Sequence, residues 1–419
     1  MQTSVRRRGP LLVVGMLAVV ALVASGVVWR SHDDGSGAIA TGPAGEAFYS
    51  ASAQQLSAGR HGSLVWSREV DPQVEGGRTH LVLYRSTDAK GDPVAVSGTV
   101  SLPPGTAPAG GWPVVSWGHG TTGMADQCAP TRTEIDASTG QRTKDADGTT
   151  THLLDEGYAV VRTDYEGLGT PGPHPYLMGQ SEGASMADIV LAAHELVPDL
   201  SPRWVAMGHS QGGQAALFTS RFDGAYTPGL DLLGVVSLAP PSQLGPVIDM
   251  LATPPSPGTD APVVATDPAS SAALLGPLVV GAAHASGVPV ADVVSPRGRA
   301  RLPDLEDRCV YDLLDQDSLG GLGIREFVRD GADLSRIRRT VGTNDAAELV
   351  PLVPVLLVQG SDDEVVDPGL TDRLAEQYRV RDVDLEYLEL SGADHMRMLE
   401  RSRERVDTWV KARFAAAAG

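Results

Sequence analysis

The sequence predicts an α/β fold built on an open, mostly parallel β-sheet. Five short runs are apolar throughout, and each ends in a polar or glycine-containing loop: WPVVSWGHG, GYAVVRTDY, RWVAMGHS, LLGVVSLAP and LVPVLLVQG. Helix-like segments separate most of these runs. Strands that are apolar at every position are typical of a parallel sheet covered on both faces, in which sites lie at the carboxyl ends of the strands.

Three strands of another kind come first in the chain. HGSLVWSREV, RTHLVLYRST and PVAVSGTVSLP alternate apolar and polar residues, and Gly, Pro and Asp turn signals separate them. Neighbouring strands with such short connections predict an antiparallel arrangement at the beginning of the sheet.

A segment without convincing strands divides the body of the chain. Residues 240–333 are rich in Pro, Ala and Gly and contain helix-like patches such as SAALLGPLVVGAAHASG. We expect a helical cap here, inserted on the loop side of an α/β core of residues 48–239 and 334–419. The length of 419 residues accommodates either one large domain with an insertion or two domains.

The N-terminal segment predicts export. Three arginines, Arg6-Arg7-Arg8, precede an apolar run from Pro10 to Trp29. Residues 1–30 are therefore interpreted as a signal peptide or a membrane anchor, and residues 31–47 as a flexible linker. The protein is expected outside the cytoplasm, either extracellular or in the cell envelope.

Charge and cysteine content exclude several classes of function. The 33 basic and 52 acidic residues give a net charge of −19, which repels a nucleic-acid backbone and favours a small neutral or cationic substrate. Cys128 and Cys309 permit one disulfide in an exported chain, with two buried free thiols as the alternative. No Cys-x-x-Cys pair or Cys/His cluster indicates a metal site. We expect a monomer that needs no cofactor.

A glycine-rich turn predicts that Ser210 is a nucleophile. Residues Gly208 to Gly212 fit the pattern G-x-S-x-G, in which a serine at a sharp strand-to-helix turn projects its oxygen above the sheet. The glycines avoid clashes where the strand and the helix pass closely. WVAM before the pattern and QAALF after it predict that strand and that helix. A purely structural turn is the alternative.

A serine hydroxyl needs a base and a carboxylate that fixes the base, in the chain order serine, acid, histidine. His395 is the predicted base because it lies in a glycine-containing loop after DLEYLEL, whereas His284 lies in the predicted cap with no strand before it. The acid is expected where LVPVLLVQG ends. Asp363 is favoured there, since it lies just past the glycine turn and precedes an apolar anchor, and Asp362 is the alternative.

Two backbone N–H groups are predicted to stabilise the developing oxyanion. The first belongs to Gln211, directly after the nucleophile. The second belongs to Thr121, or else to Thr122, in the loop HGTTG that follows the strand VVSW. His119 is expected to pack or bond within that loop, and His209 to point away from the serine oxygen.

Several motifs resemble those of the secretory lipase family of α/β-hydrolases, which includes fungal lipases of the lipase A type and bacterial relatives. The matching elements are SWGHGTTG followed by CAP at residues 128–130, TDYEGLGTPGPHPY, GHSQGGQAA, QGSDDEVVDP and GADH. They extend over most of the chain from about residue 48. The resemblance implies the α/β-hydrolase fold, a helical cap over an acyl pocket, and a triad of Ser210, Asp363 and His395. It also supports a bridge between Cys128 and Cys309.

The resemblance places Asp164 and Tyr165 near the rim of the site, although their glycine-rich surroundings are equally typical of a tight structural turn. The expected activity is hydrolysis of a small-molecule or lipid carboxylic ester through an acyl-enzyme. Low aromatic content, 5%, and few bulky residues in the cap favour short to medium acyl chains. An acyltransferase on the same fold and a non-catalytic surface binding protein stay open as alternatives. A serine peptidase is disfavoured because nothing in the sequence indicates a site for a peptide terminus.

Overall fold

A computed structural model describes residues 39–142, 148–222, 224–252 and 271–417. The strands among these residues form one sheet in the order β1-β2-β3-β5-β4-β6-β7-β8-β9. Their bounds are β1 (Leu64–Val70), β2 (Arg78–Thr87), β3 (Pro93–Leu102), β4 (Trp112–Gly118), β5 (Ala159–Thr163), β6 (Leu200–His209), β7 (Asp231–Leu238), β8 (Val355–Gly360) and β9 (Leu385–Leu390).

The directions of the strands confirm the two kinds predicted from the sequence. Strands β1, β2 and β3 pair antiparallel, and β3 pairs antiparallel with β5. All pairings from β5 through β4, β6, β7 and β8 to β9 are parallel. The loops after β4, β6, β8 and β9 therefore meet at one edge of the sheet.

The α-helices of the described residues are α1 (Ala53–Ser57), α2 (Pro130–Glu134), α3 (Gly148–Asp155), α4 (Gly179–Leu196), α5 (Gln211–Thr219), α6 (Leu244–Ala252), α7 (Ala272–Ser286), α8 (Val290–Val293), α9 (Pro296–Arg299), α10 (Leu302–Asp307), α11 (Val310–Leu313), α12 (Ile324–Phe327), α13 (Ser335–Thr343), α14 (Pro368–Val380) and α15 (Arg397–Ala416).

Helices cover both faces of the parallel strands. On one face, Val114 of β4 and Val161 of β5 pack in a cluster with apolar residues of α4 and α5. On the other face, the adjacent Val115 and Val160 pack with residues of α3 and α15. Successive residues of a strand point to opposite faces, so a sheet buried on both sides needs apolar residues at every position.

The described residues between β7 and β8 contain helices α6 to α13 and no strand. They form most of one apolar cluster, which residues 176–178 before α4 complete, and Leu334, Ile337 and Val341 belong to it. These three residues fall in the predicted core rather than in the predicted cap of residues 240–333. The boundary at residue 333 is therefore too early in packing terms, because the apolar stripe of α13 faces α6 and α7.

Part of the predicted linker of residues 31–47 is instead packed on the sheet. The N–H of Gly42 donates to the carbonyl oxygen of Ser67 at 3.1 Å, and Ser67 N–H donates to Ala40 at 3.1 Å. A 3-10 helix follows, whose Phe48 is fully buried against Trp66. These aromatic contacts fix residues 39–47, which the polar and glycine-rich composition did not indicate.

The predicted signal peptide or anchor of residues 1–30 lies outside the described residues. Within the described ranges, no helix combines the length and the apolar composition needed to cross a bilayer.

A disulfide joins Cys128 to Cys309, as the resemblance implies. Beside it, Val310 N–H donates to the carbonyl oxygen of Thr122 at 2.8 Å, and Gly123 pairs with Cys309 in an isolated β-bridge. The bridge therefore ties the loop after β4 to the helical region between β7 and β8.

Replacing both cysteines by alanine should lower the free energy of unfolding by about 2–4 kcal/mol, because the bridge closes a long loop in the unfolded chain. Denaturant unfolding of the wild type and the Cys128→Ala/Cys309→Ala variant measures the difference. Reducing the wild type should reproduce the loss. Equal stability of all three samples would contradict the bridge.

Candidate active site

Ser210 occupies a strained turn between β6 and α5. Its backbone lies at φ 55° and ψ −121°, a region that side chains rarely adopt, and its N–H donates to the carbonyl oxygen of Leu238 at 2.8 Å. A Cβ added at Gly208 would lie 2.1 Å from the carbonyl oxygen of Gly212, and one at Gly212 would lie 2.0 Å from that of Gly118. No larger residue fits at either position, which accounts for the glycines of the motif.

His395 and Asp363 meet at the adjoining loops. The distance from His395 Nδ1 to Asp363 Oδ2 is 2.7 Å, and Gln359 Nε2 donates to the same oxygen at 3.0 Å. The N–H groups of Val365 and Val366 donate to Oδ1, each at 2.9 Å. A carboxylate can only accept, so His395 donates through Nδ1 and keeps Nε2 as a proton acceptor.

The environment of Asp363 keeps it ionised. Burial raises the pKa of this carboxyl, but the hydrogen bond and charge of His395 and the donors Val366 and Val365 outweigh burial and hold the pKa below its ordinary value. An ionised Asp363 is the partner that an imidazolium at His395 requires.

The loop geometry separates the two acid candidates. Asp362 N–H donates to the carbonyl oxygen of Ala393 at 3.0 Å, which holds the loops after β8 and β9 together. The side chain of Asp362 is exposed and accepts from Ser361 Oγ at 2.8 Å. The structure thus brings Asp363, and not Asp362, against His395.

The predicted oxyanion residues flank the serine. Gln211 is the first residue of α5, so its N–H has no carbonyl one turn earlier in the helix to donate to. On the other side, a Cβ added at Gly120 would lie 3.6 Å from Ser210 Cβ, which measures how closely the HGTTG loop approaches. The hydroxyl of Thr121 lies 2.7 Å from that of Tyr176, whereas the carbonyl of Thr122 is taken up by Val310.

His119 bonds within its own loop, as predicted. Its Nδ1 donates to the carbonyl oxygen of Gly120 at 2.7 Å, and Tyr165 donates its hydroxyl to the carbonyl oxygen of His119 at 2.9 Å. Burial lowers the pKa of His119 to about 4, so the ring is neutral at pH 7. Tyr165 supports this loop through that bond, whereas the carboxylate of the equally buried Asp164 accepts from Ser97 Oγ at 2.6 Å.

His209 has a contact that sequence reasoning missed. Its Nε2 donates to the carbonyl oxygen of His395 at 2.9 Å, and the two rings lie 4.4 Å apart between centroids. The motif G-x-S-x-G leaves this position unspecified, so no signal pointed to it. Sequence reasoning also missed the contact of Tyr176 with the hydroxyl of Thr121, although Tyr176 ends the motif TDYEGLGTPGPHPY.

Ser210, His395 and Thr121 line one cavity of about 720 Å³, within the range of small-molecule sites. Its apolar wall comes largely from residues between β7 and β8, including Leu244, Leu274, Leu275, Leu278 and Leu314. The arrangement places a serine in a strained turn, a histidine paired with a carboxylate, and the predicted oxyanion donors beside an apolar chamber.

Comparison with known proteins shows the family of the chain. The model of a family described as secretory lipase matches residues 133–266 and 289–418. The chain belongs to the secretory lipase family. A Mycobacterium tuberculosis protein named "Probable inactive lipase" is 27% identical over 355 residues, which cover 80% of this chain and 73% of that protein.

Solved structures of similar fold include an esterase and a lipase. The rice cell wall degrading esterase LipA of Xanthomonas oryzae superposes with a TM-score of 0.65 at 20% identity, over 80% of this chain and 92% of its own. The closed state of lipase A of Candida antarctica gives a TM-score of 0.71 at 17% identity, over 88% and 85%. These likenesses establish the α/β-hydrolase fold for this member of the secretory lipase family.

Asp363→Asn should slow the labelling of Ser210 by a fluorophosphonate probe by about 10³-fold or more, because the amide favours the wrong tautomer of His395. Asp362→Asn is the matched control and should label at the wild-type rate. The labelling rates are measured on folded proteins. Slow labelling of Asp362→Asn together with wild-type labelling of Asp363→Asn would contradict the assignment of the acid.

Proposed function

We propose that this member of the secretory lipase family is an exported serine carboxylic-ester hydrolase. The observation that carries the proposal is the His395–Asp363 pair, whose free imidazole nitrogen belongs to a residue lining the same cavity as the strained Ser210. The relative from Mycobacterium tuberculosis is named a probable inactive lipase, but here all three proposed triad positions hold competent residues.

In the proposed reaction Ser210 Oγ attacks the ester carbonyl while His395 Nε2 takes the hydroxyl proton. Asp363 stabilises the imidazolium, and the N–H groups of Gln211 and Thr121 stabilise the oxyanion. His395 then gives its proton to the departing alcohol. In the second half His395 activates water, which releases the acid and regenerates the free serine.

The proposed substrate is an ester with a short to medium acyl chain. Support comes from the cavity, whose leucine wall suits an aliphatic chain and whose volume of about 720 Å³ is limited. The net charge of −19 further favours a neutral ester over an anionic one. Export, with residues 1–30 as a signal peptide or an anchor, is proposed from the family and from the apolar run after Arg6-Arg7-Arg8.

Hydrolysis of p-nitrophenyl esters from acetate to palmitate, by the body of the chain from residue 39, tests the activity. We expect turnover that is greatest for short to medium chains and at least about 10³-fold lower in Ser210→Ala, which lacks the nucleophile. A folded protein that labels with fluorophosphonate but transfers acyl groups only to alcohols would favour the acyltransferase. A folded protein that neither labels nor turns over any ester would favour the binding protein.

Leu274→Trp should shorten the acyl profile, because Leu274 is half-buried on the cavity wall and an indole there occupies space needed by the chain. We expect kcat/KM for the octanoate ester to fall by at least about tenfold and that for acetate to change less than about threefold. The same substitution at the exposed Leu352, outside the cavity, is the control. Equal profiles for the two variants would contradict the position of the acyl pocket.

A further inference from the structure

The side chain of Gln211 is sealed beneath the candidate oxyanion hole. The residue is fully buried, and its Nε2 donates to Glu182 Oε1 at 2.7 Å and to His174 Nε2 at 2.9 Å. His174 can accept there because its Nδ1 donates to the carbonyl oxygen of Glu166 at 2.8 Å. Burial lowers the pKa of His174 to about 4, so this ring is neutral.

Glu182 lies in α4 without exposure to solvent. Its Oε1 also accepts from the N–H of Leu177 at 2.9 Å, while Oε2 has no hydrogen-bond partner among the described residues. Burial raises the pKa of Glu182 to about 8; the donors Gln211 and Leu177 oppose that rise, and the charge of Glu166 adds to it. The carboxyl is therefore neutral at pH 7.

The titratable groups around Glu182 supply no compensating cation. His174 is neutral, and its Nε2 lies 3.8 Å from Oε1. The other neighbours that interact with Glu182 electrostatically are Tyr165, Tyr176 and Glu166, of which the two phenols stay protonated because burial raises their pKa. A negative charge on Glu182 would face no positive one from any of these elements.

We propose that Glu182 is a positioning residue for the oxyanion hole, acting through the side-chain amide of Gln211 with His174 as its second anchor. The inference rests on the proposed function, since it assigns a role in forming the same acyl-enzyme. No motif of the sequence pointed to Glu182, which lies in α4 away from the reacting atoms.

The backbone at the serine explains why such an anchor matters. Ser210 is held at a positive φ, and a strained conformation persists only where its surroundings over-determine it. The peptide that joins Ser210 to Gln211 carries the N–H that donates to the oxyanion in the proposed reaction. This peptide begins α5, so no helical turn precedes it. The Gln211 side chain donates one hydrogen bond to Glu182 and one to His174, and these two bonds hold the peptide in place. The N–H is therefore oriented before negative charge develops on the substrate oxygen.

The neutral state of Glu182 is part of the same role. A carboxylate in contact with the side chain of Gln211 would repel the negative charge that forms in the transition state, and buried charges are poorly screened. The acid is protonated below about pH 8 and loses its proton above it. Turnover should therefore fall on the alkaline side as Glu182 ionises.

The test is the pH dependence of kcat and KM from pH 6 to 10 with a p-nitrophenyl ester, corrected with Ser210→Ala for spontaneous hydrolysis. Glu182→Gln keeps a neutral acceptor for Gln211, so kcat at pH 7 should stay within about threefold of wild type and the alkaline fall should disappear. Glu182→Ala removes the acceptor and should lower kcat by about 10–100-fold with KM changed less than about threefold, because the loss concerns the transition state.

Glu166→Gln is the matched control. This acid is also buried, with a pKa raised by burial to about 7, but its carboxyl bonds to Ser181 and does not contact Gln211. The control should keep the wild-type kcat at pH 7 and an alkaline fall, which moves to lower pH because the charge of Glu166 no longer raises the pKa of Glu182. Thermal melting of every variant separates loss of folded protein from loss of turnover.

An alkaline fall that persists in Glu182→Gln would overturn the inference, as would a Glu182→Ala variant with wild-type kcat. If Glu182→Ala does not fold, the pH profile of Glu182→Gln decides alone. Fluorophosphonate labelling of Ser210 depends on the same donors without any ester. Labelling that depends on Glu182 in a protein that hydrolyses no ester would therefore count against the proposed function and for the positioning role.

Discussion

The close approach of α5 to the ends of β4 and β6 is the constraint on which the site depends. Gly118, Gly208 and Gly212 lie very close together. An added Cβ at Gly208 would clash with the carbonyl oxygen of Gly212, and one at Gly212 would clash with that of Gly118. This packing forces the turn between them into the strained conformation of Ser210. It also brings the HGTTG loop beside the serine, so that one set of backbone contacts positions both the predicted nucleophile and the predicted oxyanion donors.

Burial distinguishes the histidines that surround the serine. His119 and His174 are enclosed, and burial lowers the pKa of each to about 4, which keeps them neutral and suits them to hydrogen-bonded support. His395 is partly exposed to the cavity and faces the ionised Asp363. Four imidazoles, with His209 as the last, thus lie near one centre in different environments, and the sequence did not indicate the contacts of His174 and His209.

The sequence predicts the sheet well because each parallel strand is covered on both faces, which leaves an apolar run such as that before Gly208. It predicts Ser210, Asp363 and His395 because each follows such a run in a fixed chain order, although their chemical roles stay predictions. Contacts between distant segments leave no local pattern, so the anchoring of Gln211 by Glu182 and the packing of α13 with the cap helices were not foreseen. The packing of residues 39–47 on β1 was missed for the same reason, since polar composition there conceals contacts made by Phe48.

The bridge between Cys128 and Cys309 links the chemistry of the site to the compartment in which the chain folds. The disulfide joins a loop that carries candidate oxyanion donors to a segment that lines the cavity. Val310 N–H bonds to the carbonyl oxygen of Thr122 beside it. While the thiols stay reduced, one backbone pairing and local packing hold the loop and the segment together. Oxidation adds the covalent bond between them, so a chain kept in a reducing environment lacks part of the framework that shapes the cavity.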